Sequence, residues 1–293
     1  MASPDREAAN TTQVCEEDRP FQHYSLKHTM VAWISQTLFD RFTYTIRHGL
    51  NHGMKRKGGM GWFPASGVVE TAEDRFWRSL DLKGLVVYDV GAFQGMLTMF
   101  FASRCAHVVS YEPNSINHAR LLENLRLNKL NNVTVRKLGV SSTSGSGDLV
   151  FRMLMTGGGS LEIKTADQLK QARTDVKNER IQITTIDQDI TDGGLPLPDF
   201  LKIDIEGFEL EALKGGARTL AVCHPALFLE MHGETLREKR RKVADIVDWL
   251  ATAGYADLLH VETGTRITAA NAAVAMQGHL YCPRPGQAHY SKP

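Results

Sequence analysis

From residue 85 onward, short runs of consecutive apolar residues alternate with stretches of helical periodicity, and this rhythm constrains the fold more than any other feature. The runs are LVVYDV (85–90), HVVSY (107–111), residues 133–138, IQITTID (181–187), FLKIDIEG (200–207) and ALFLEMH (226–232). Helical patterns separate them at residues 96–104, 115–128, 209–220 and 235–253, and two last strands are expected at 256–261 and 279–282. A strand that is apolar without alternation is buried on both faces, so the pattern predicts a doubly wound, mostly parallel α/β sheet with right-handed crossovers. There is no internal repeat.

Composition agrees with such a domain. Hydrophobic residues make up 42% and charged residues 23% of the 293-residue chain, enough to build a core and to exclude wholesale disorder. Lys plus Arg number 34 against 33 Asp plus Glu, so the chain lacks the basic excess of a protein that grips nucleic acid by charge. No apolar run of membrane-spanning length occurs and the first residues lack the basic and apolar regions of a signal peptide, which predicts a cytoplasmic protein. The cysteines at 15, 105, 223 and 282 form no C-x-x-C pair, so neither a zinc site nor a disulfide framework is expected.

Three segments stand outside the rhythm. Residues 1–25 read as a mobile tail, and residues 26–80 as an N-terminal extension. In the extension, Met30, Val31, Ile34, Leu38, Phe42 and Ile46 predict an amphipathic helix over 26–50, ended by Gly49 and Gly53. Its apolar face would pack on the core, a second subunit or, as a peripheral contact, a lipid surface. A basic, glycine-rich loop follows at 51–64, with Trp62 and Phe63. This loop is expected to wall or cover an acceptor site through Lys55, Arg56 and Lys57. A short helix is predicted over 71–80, and residues 81–293 form the main domain, interrupted by an insertion at 141–180 with a helical segment at 166–177. The basic run at 237–242 reads as a solvated helix face.

The residues that carry chemistry cluster at strand ends. Asp89-Val90-Gly91-Ala92-Phe93-Gln94-Gly95 closes the first strand directly before a helix, where ligands of doubly wound sheets bind. The glycines permit a tight turn, but the G-x-x-x-G spacing differs from a pyrophosphate cradle, and Asp89 would repel a phosphate while suiting an amine or hydroxyls. Glu112 ends the second strand 23 residues later, where an acidic side chain accepts from both hydroxyls of a ribose. Together the two positions describe a nucleoside with a cationic, unphosphorylated arm, which is S-adenosylmethionine. In the run 200–207, Lys202, Asp204 and Glu206 alternate with apolar residues. A Lys202–Asp204 ion pair or a solvated edge strand would account for them, but their place at the carboxyl end of a buried strand favours a functional role. Glu230 and His232 end the next strand and could reach the same pocket, His232 either as a base or as a hydrogen-bonded loop residue. Asp204 and Glu206 could alternatively hold a divalent cation, although no metal set is assigned.

The segments VVYDVGAFQG, VVSYEP, LGVSS, FLKIDIEGFELEALKGGARTL and ALFLEMHG, in this order over residues 84–233, resemble the FkbM family of S-adenosylmethionine-dependent methyltransferases. The K-x-D-x-E-G-x-E element is the specific part. The resemblance implies a Rossmann-like class I methyltransferase sheet of seven strands and O-methyl transfer to a sugar, glycolipid or polyketide-type acceptor. It places Asp89, Gly91, Gly95 and Glu112 on the cofactor, with Ala92, Phe93, Pro113, Ser141 and Asp204 expected beside them. Asp204, Glu206 and Glu209 belong to the acceptor site, joined by Glu230 and His232 as the remaining catalytic candidates. The competing readings are an RNA or protein methyltransferase, with Lys55, Arg56 and Lys57 as its footprint, and a non-catalytic cofactor-binding module in which Asp204 and Glu206 are structural. Near-zero net charge and the lack of an N-P-P-Y-like motif argue against the former.

Overall fold

The computed structural model describes residue 17 and residues 42–58, 70–152, 155–160 and 176–284. Two short strands open it: β1 (Thr43–Thr45) pairs antiparallel with β2 (Lys55–Lys57), Thr43 opposite Lys57. The helix expected over 26–50 therefore does not extend through 43–45. Thr43, Tyr44 and Thr45 favour an extended backbone, and Gly49 and Gly53 adopt left-handed φ values of 81° and 87° between the two strands. Residues 26–41, Trp62 and Phe63 lie outside the described residues.

Helix α1 (Ala72–Ser79) starts on a reciprocal cap, in which Asp74 N donates to Thr71 Oγ1 and Thr71 N to the Asp74 carboxylate. The sheet then begins: β3 (Val86–Val90), α2 (Met96–Ala102), β4 (His107–Tyr111), α3 (Ser115–Leu127) and β5 (Val133–Arg136). Next come β6 (Gly139–Val140), β7 (Gly145–Arg152), β8 (Met155–Ser160) and β9 (Val176–Thr184), followed by α4 (Ile186–Gly193) and β10 (Phe200–Ile203). Helices α5 (Glu209–Gly215) and α6 (Ala217–Cys223), β11 (Ala226–Glu230), α7 (Leu236–Thr252), β12 (Leu258–His260), β13 (Arg266–Ile267), a 3-10 helix (Ala269–Met276) and β14 (His279–Cys282) complete it.

The main sheet has the order β13-β12-β14-β11-β10-β3-β4-β5, and its five strands from β11 to β5 are parallel. The expected seven strands are joined by the two-residue β13 at one edge. This is the Rossmann-like arrangement of a class I methyltransferase, with the chain leaving β3 toward β4 and β5 and then returning on the other side as β10. The run 181–187 departs from expectation. Its residues 181–184 belong to β9, which pairs with β6 and β7 in a separate four-stranded sheet, β6-β9-β7-β8, while Ile186 and Asp187 already open α4. The segment 141–180 is thus largely a second sheet, and residues 176–177, expected to end a helix, are already strand. Residues 161–175 lie outside the described residues. The predicted helix over 209–220 is two helices divided at Gly216, whose φ of −106° and ψ of 11° leave the helical region.

Apolar residues fill both faces of the main sheet. On one face Phe76 and Trp77 of α1 are fully buried, with Trp77 4.2 Å from the Phe228 ring and 5.2 Å from Phe101. The other face packs Ile203, Leu229 and Tyr88 against Leu213, Ile246 and Leu250. Among the described residues no helix is long and apolar enough to cross a membrane. Because Trp77 sits among aromatic rings that cannot collapse inward, Trp77→Ala is expected to cost about 3–5 kcal/mol in denaturant unfolding. A loss under about 1 kcal/mol would show that α1 is not part of the cooperative core.

Candidate functional site

The site forms where β3 and β10 lie side by side with the chain reversing between them. Val90 pairs with Ile203, and Asp204 N donates to Val90 O at 3.1 Å. Gly91, at φ 85°, passes directly against the Asp204 carbonyl, so a methyl group at this position would overlap it. The loop is then pinned to the neighbouring strand, since Gly91 N and Ala92 N both donate to Tyr111 O, at 3.1 and 3.0 Å. Phe93 holds a left-handed φ of 51°, which turns its N–H onto Glu112 Oε2 at 2.8 Å, while Asn114 N donates to Glu112 Oε1 at 2.9 Å. Glu112 is 6% exposed, and burial pushes its carboxyl up to about 7 against the pull of these backbone hydrogen bonds. The Asn117 side chain supplies a third bond, and a carboxylate, with about four acceptor sites, keeps capacity beyond these three. Beside it, Asn114 caps α3 by accepting from Ile116 N and Asn117 N, and its buried Nδ2 has no partner among the described residues.

Lys202 lies beneath this loop. Its Nζ donates to Gly91 O at 2.8 Å and is 3.2 Å from Asp89 Oδ1 and 3.3 Å from Asp204 Oδ2. Burial alone would lower the ammonium pKa, but the two carboxylates outweigh it and raise it. The other Asp89 oxygen accepts from Thr98 Oγ1 at 2.6 Å. The Lys202–Asp204 pair weighed from the sequence is therefore present, with Asp89 as a second partner. Asp89 is fully buried and is not among the residues that line the cleft, so in this arrangement it acts through Lys202 rather than facing a ligand.

Beyond Asp204 the backbone turns sharply, with Glu206 at φ 53° and Gly207 at φ 104°, and delivers a group of acids around His232. Nδ1 of His232 is 2.8 Å from Oε1 of the buried Glu209. Its Nε2 lies 3.7 Å from Asp204 Oδ1, 3.7 Å from Glu206 Oε2 and 3.6 Å from Glu230 Oε1. Burial opposes the charge on His232, but the Glu209 bond and the surrounding carboxylates raise its pKa to about 9. Burial also pushes Glu206 up to about 7. Glu230 is held down at about 2, first by its interaction with His279.

One cleft of about 240 Å³ joins the two ends, with Gly91, Phe93 and Glu112 at one and Asp204, Glu206 and His232 at the other. Pro113 and Glu230 also line it, whereas Ala92, Gly95, Ser141 and Glu209 stand behind its wall. Sequence reasoning missed Asn114, Asn117, Val140, Leu149 and Phe208, all of which line the cleft. Asn114 carried a readable signal as an Asn directly before a helix. Leu149 carried none, because it reaches the cleft from the second sheet. The basic triplet also departs from expectation. Arg56 Nη2 donates to Gln94 Oε1 at 3.0 Å, Lys57 Nζ pairs with Glu123 at 2.7 Å, and Lys55, Arg56 and Lys57 are not among the lining residues.

Three substitutions test this geometry. Gly91→Ala combines left-handed strain with overlap on the Asp204 carbonyl and should cost about 3 kcal/mol or more. Gly84→Ala has a similar φ of 77° but open space around it, and should cost only about 1–2 kcal/mol. Equal losses in thermal unfolding would mean that the close approach of β3 and β10 is relaxed in solution. Lys202→Met should cost about 3–5 kcal/mol by leaving Asp89 and Asp204 without their counter-ion. A neutral effect would show that the pair is dispensable.

Comparison with known proteins adds a family to this geometry. The methyltransferase FkbM domain matches residues 89–256, more than half of the chain. The chain is 28% identical over 174 residues to the hexuronic acid methyltransferase AglP of Haloferax volcanii, covering 54% of this chain and 66% of that protein. It is 29% identical over 204 residues to the AMB antimetabolite synthetase AmbE of Pseudomonas aeruginosa, covering 59% of this chain and 9% of that protein. The chain thus spans just under two thirds of the first relative's length and a small part of the second's. A crystal structure of methyltransferase FkbM from Methylobacillus flagellatus superposes with a TM-score of 0.45 at 20% identity, covering 68% of this chain and 43% of that one. With the domain match spanning the glycine loop, Glu112 and the acid–His232 group alike, the chain belongs to the FkbM family of methyltransferases.

Proposed function

We propose that this methyltransferase uses S-adenosylmethionine, with its ribose on Glu112 and its methionine arm along the Gly91 loop, to methylate a hydroxyl of a sugar or sugar-like acceptor. The observation that carries this reading is a single cleft with the Gly91 loop and the acidic Glu112 at one end and three carboxylates around His232 at the other. The fit at the cofactor end rests on two features of this chain. Glu112 presents unused acceptor capacity, and Asn114 Nδ2 is a buried donor awaiting an acceptor atom.

When bound, S-adenosylmethionine supplies a methyl group made electrophilic by its sulfonium. Asp204, Glu230 and His232 hold the acceptor hydroxyl in line with that carbon, which is the main contribution an enzyme makes to such a transfer. Glu206 receives no hydrogen bond from the described residues and takes the hydroxyl proton as the carbon–oxygen bond forms and the carbon–sulfur pair returns to sulfur. Leu149 and Phe208, over the cleft, keep water from competing with the acceptor. A hydroxyl-rich acceptor suits a carboxylate-lined pocket, and the relative named for a hexuronic acid supports that class. The RNA-directed alternative loses support because Arg56 and Lys57 are engaged by Gln94 and Glu123.

Incubation with S-adenosylmethionine carrying a carbon-13 methyl and a panel of hexoses and hexuronic acids should yield a methyl resonance in the O-methyl region. Transfer only to nitrogen or carbon acceptors overturns the reading. A second expectation concerns pH. The Glu112 carboxyl is raised to about 7, so it is ionised and able to accept from a ribose diol above that pH and is protonated below it. Cofactor affinity in calorimetry should therefore fall as pH drops from 8 to 6, by up to about tenfold per unit. Glu112→Gln should bind more weakly with a flat profile, and equal slopes in both proteins would remove Glu112 from the ribose site.

A further inference from the structure

Asp204, Glu230 and His232 share a feature that hydrogen bonding among themselves does not explain. Each has one atom facing a residue outside the trio. His232 Nδ1 is held by Glu209 at 2.8 Å, Asp204 Oδ2 faces Lys202 Nζ at 3.3 Å, and Glu230 Oε2 faces His279 Nε2 at 3.8 Å. His279 is itself fixed by Glu262, whose Oε1 is 2.6 Å from His279 Nδ1. Each of the three then turns its remaining atom, Nε2, Oδ1 or Oε1, toward the same point, and all three atoms lie within 4.8 Å of one another. A paired imidazolium would stand about 2.7–2.9 Å from one carboxylate oxygen. Instead Nε2 is 3.6 Å from the oxygen of Glu230 and 3.7 Å from those of Asp204 and Glu206, with none preferred.

From this arrangement we infer that Asp204, Glu230 and His232 bind a divalent cation of the Mg²⁺ or Mn²⁺ class at the acceptor end of the cleft. Ligands closed on such an ion stand about 3 Å apart, so the trio draws in slightly on binding. Carboxylates suit these hard ions, one imidazole is compatible with Mn²⁺, and outer partners that orient ligating groups are the rule at metal centres. Two oxygens and one nitrogen leave positions open toward the cleft that the trio lines, where two neighbouring hydroxyls of a sugar could coordinate and be polarised. The cation takes the place of the proton on Nε2, which leaves Glu206 as the proton acceptor of the transfer. This inference rests on the hydroxyl-methylation reading for its purpose but not for its test.

The test uses the full-length chain after EDTA treatment, titrated with Mn²⁺ and followed by electron paramagnetic resonance. One Mn²⁺ per chain should bind, with spin-echo modulation from one imidazole nitrogen. Asp204→Asn, Glu230→Gln and His232→Gln should each weaken binding at least tenfold, and His232→Gln should abolish the nitrogen modulation. Asp257→Asn, on the surface, should leave binding unchanged. Circular dichroism and S-adenosylmethionine affinity establish that each variant is folded. No binding up to millimolar Mn²⁺ by a chain that still binds S-adenosylmethionine overturns the inference, as does binding that survives all three substitutions. Methyl transfer to sugar hydroxyls that is unaffected by chelator overturns it while leaving the proposed function intact. Site-specific Mn²⁺ binding by a protein that methylates no hydroxyl supports the site and overturns the proposed function instead.

Discussion

The ammonium of Lys202 occupies the place where the sheet changes direction, between two carboxylates and the carbonyl of Gly91. Strands β3 and β10 both end there, and without a cation their Asp89 and Asp204 side chains would face each other in a poorly solvated space. A buried ion group of this kind contributes little net stability, because its attraction is offset by desolvation. It does decide orientation. With Oδ2 of Asp204 drawn toward Lys202, Oδ1 is left to the cleft, and with Gly91 O pulled inward the following N–H groups point at Tyr111. The Gly91 end and the carboxylate end of the cleft are thus set by the same side chain.

Two accessory pieces hold this centre in shape. The N-terminal hairpin braces the glycine loop from outside, through Asn51 Nδ2 on Met96 O and Arg56 on Gln94, while Asn124 of α3 bonds both Lys57 N and Gln94 O. The loop is therefore fixed on both sides, as suits a surface that must present backbone groups to a ligand without rearranging. The second sheet brings the apolar side chain of Leu149 to the wall of the cleft. The lining of the cleft thus includes elements outside the core sheet, as expected of a site grafted on a common scaffold.

Much of this was legible in the sequence for a definite reason. Strands buried on both faces must be apolar throughout, so LVVYDV, HVVSY and ALFLEMH identified themselves, and charges interrupting FLKIDIEG marked a strand end with work to do. The hairpin was misread because Phe42 and Ile46 are spaced like a helical turn, whereas β-branched Thr43 and Thr45 and the left-handed glycines prevailed. Residues 181–184 of the run 181–187 were correctly read as strand but assigned to the wrong sheet, since strand pairing is not encoded in a strand's own apolar pattern, and residues 186–187 are helix. Asp89 was read as a ligand contact because its position at a strand end is visible in the sequence and its burial is not.

By itself the sequence determined the alternation of strands and helices, the position of the reversal beneath the Gly91 loop, and the chemical types gathered at strand ends. These are local properties, set by periodicity, backbone freedom and the cost of burying charge. Tertiary structure alone decided which atom of each group faces the cleft. Asp89 turns to Lys202 and Thr98, Asp204 is shared between Lys202 and the pocket, and His232 is held by Glu209 so that Nε2 meets three carboxylates from two segments of chain. Such choices depend on side chains far apart in sequence competing for the same few angstroms, and no pattern along one segment records the outcome of that competition.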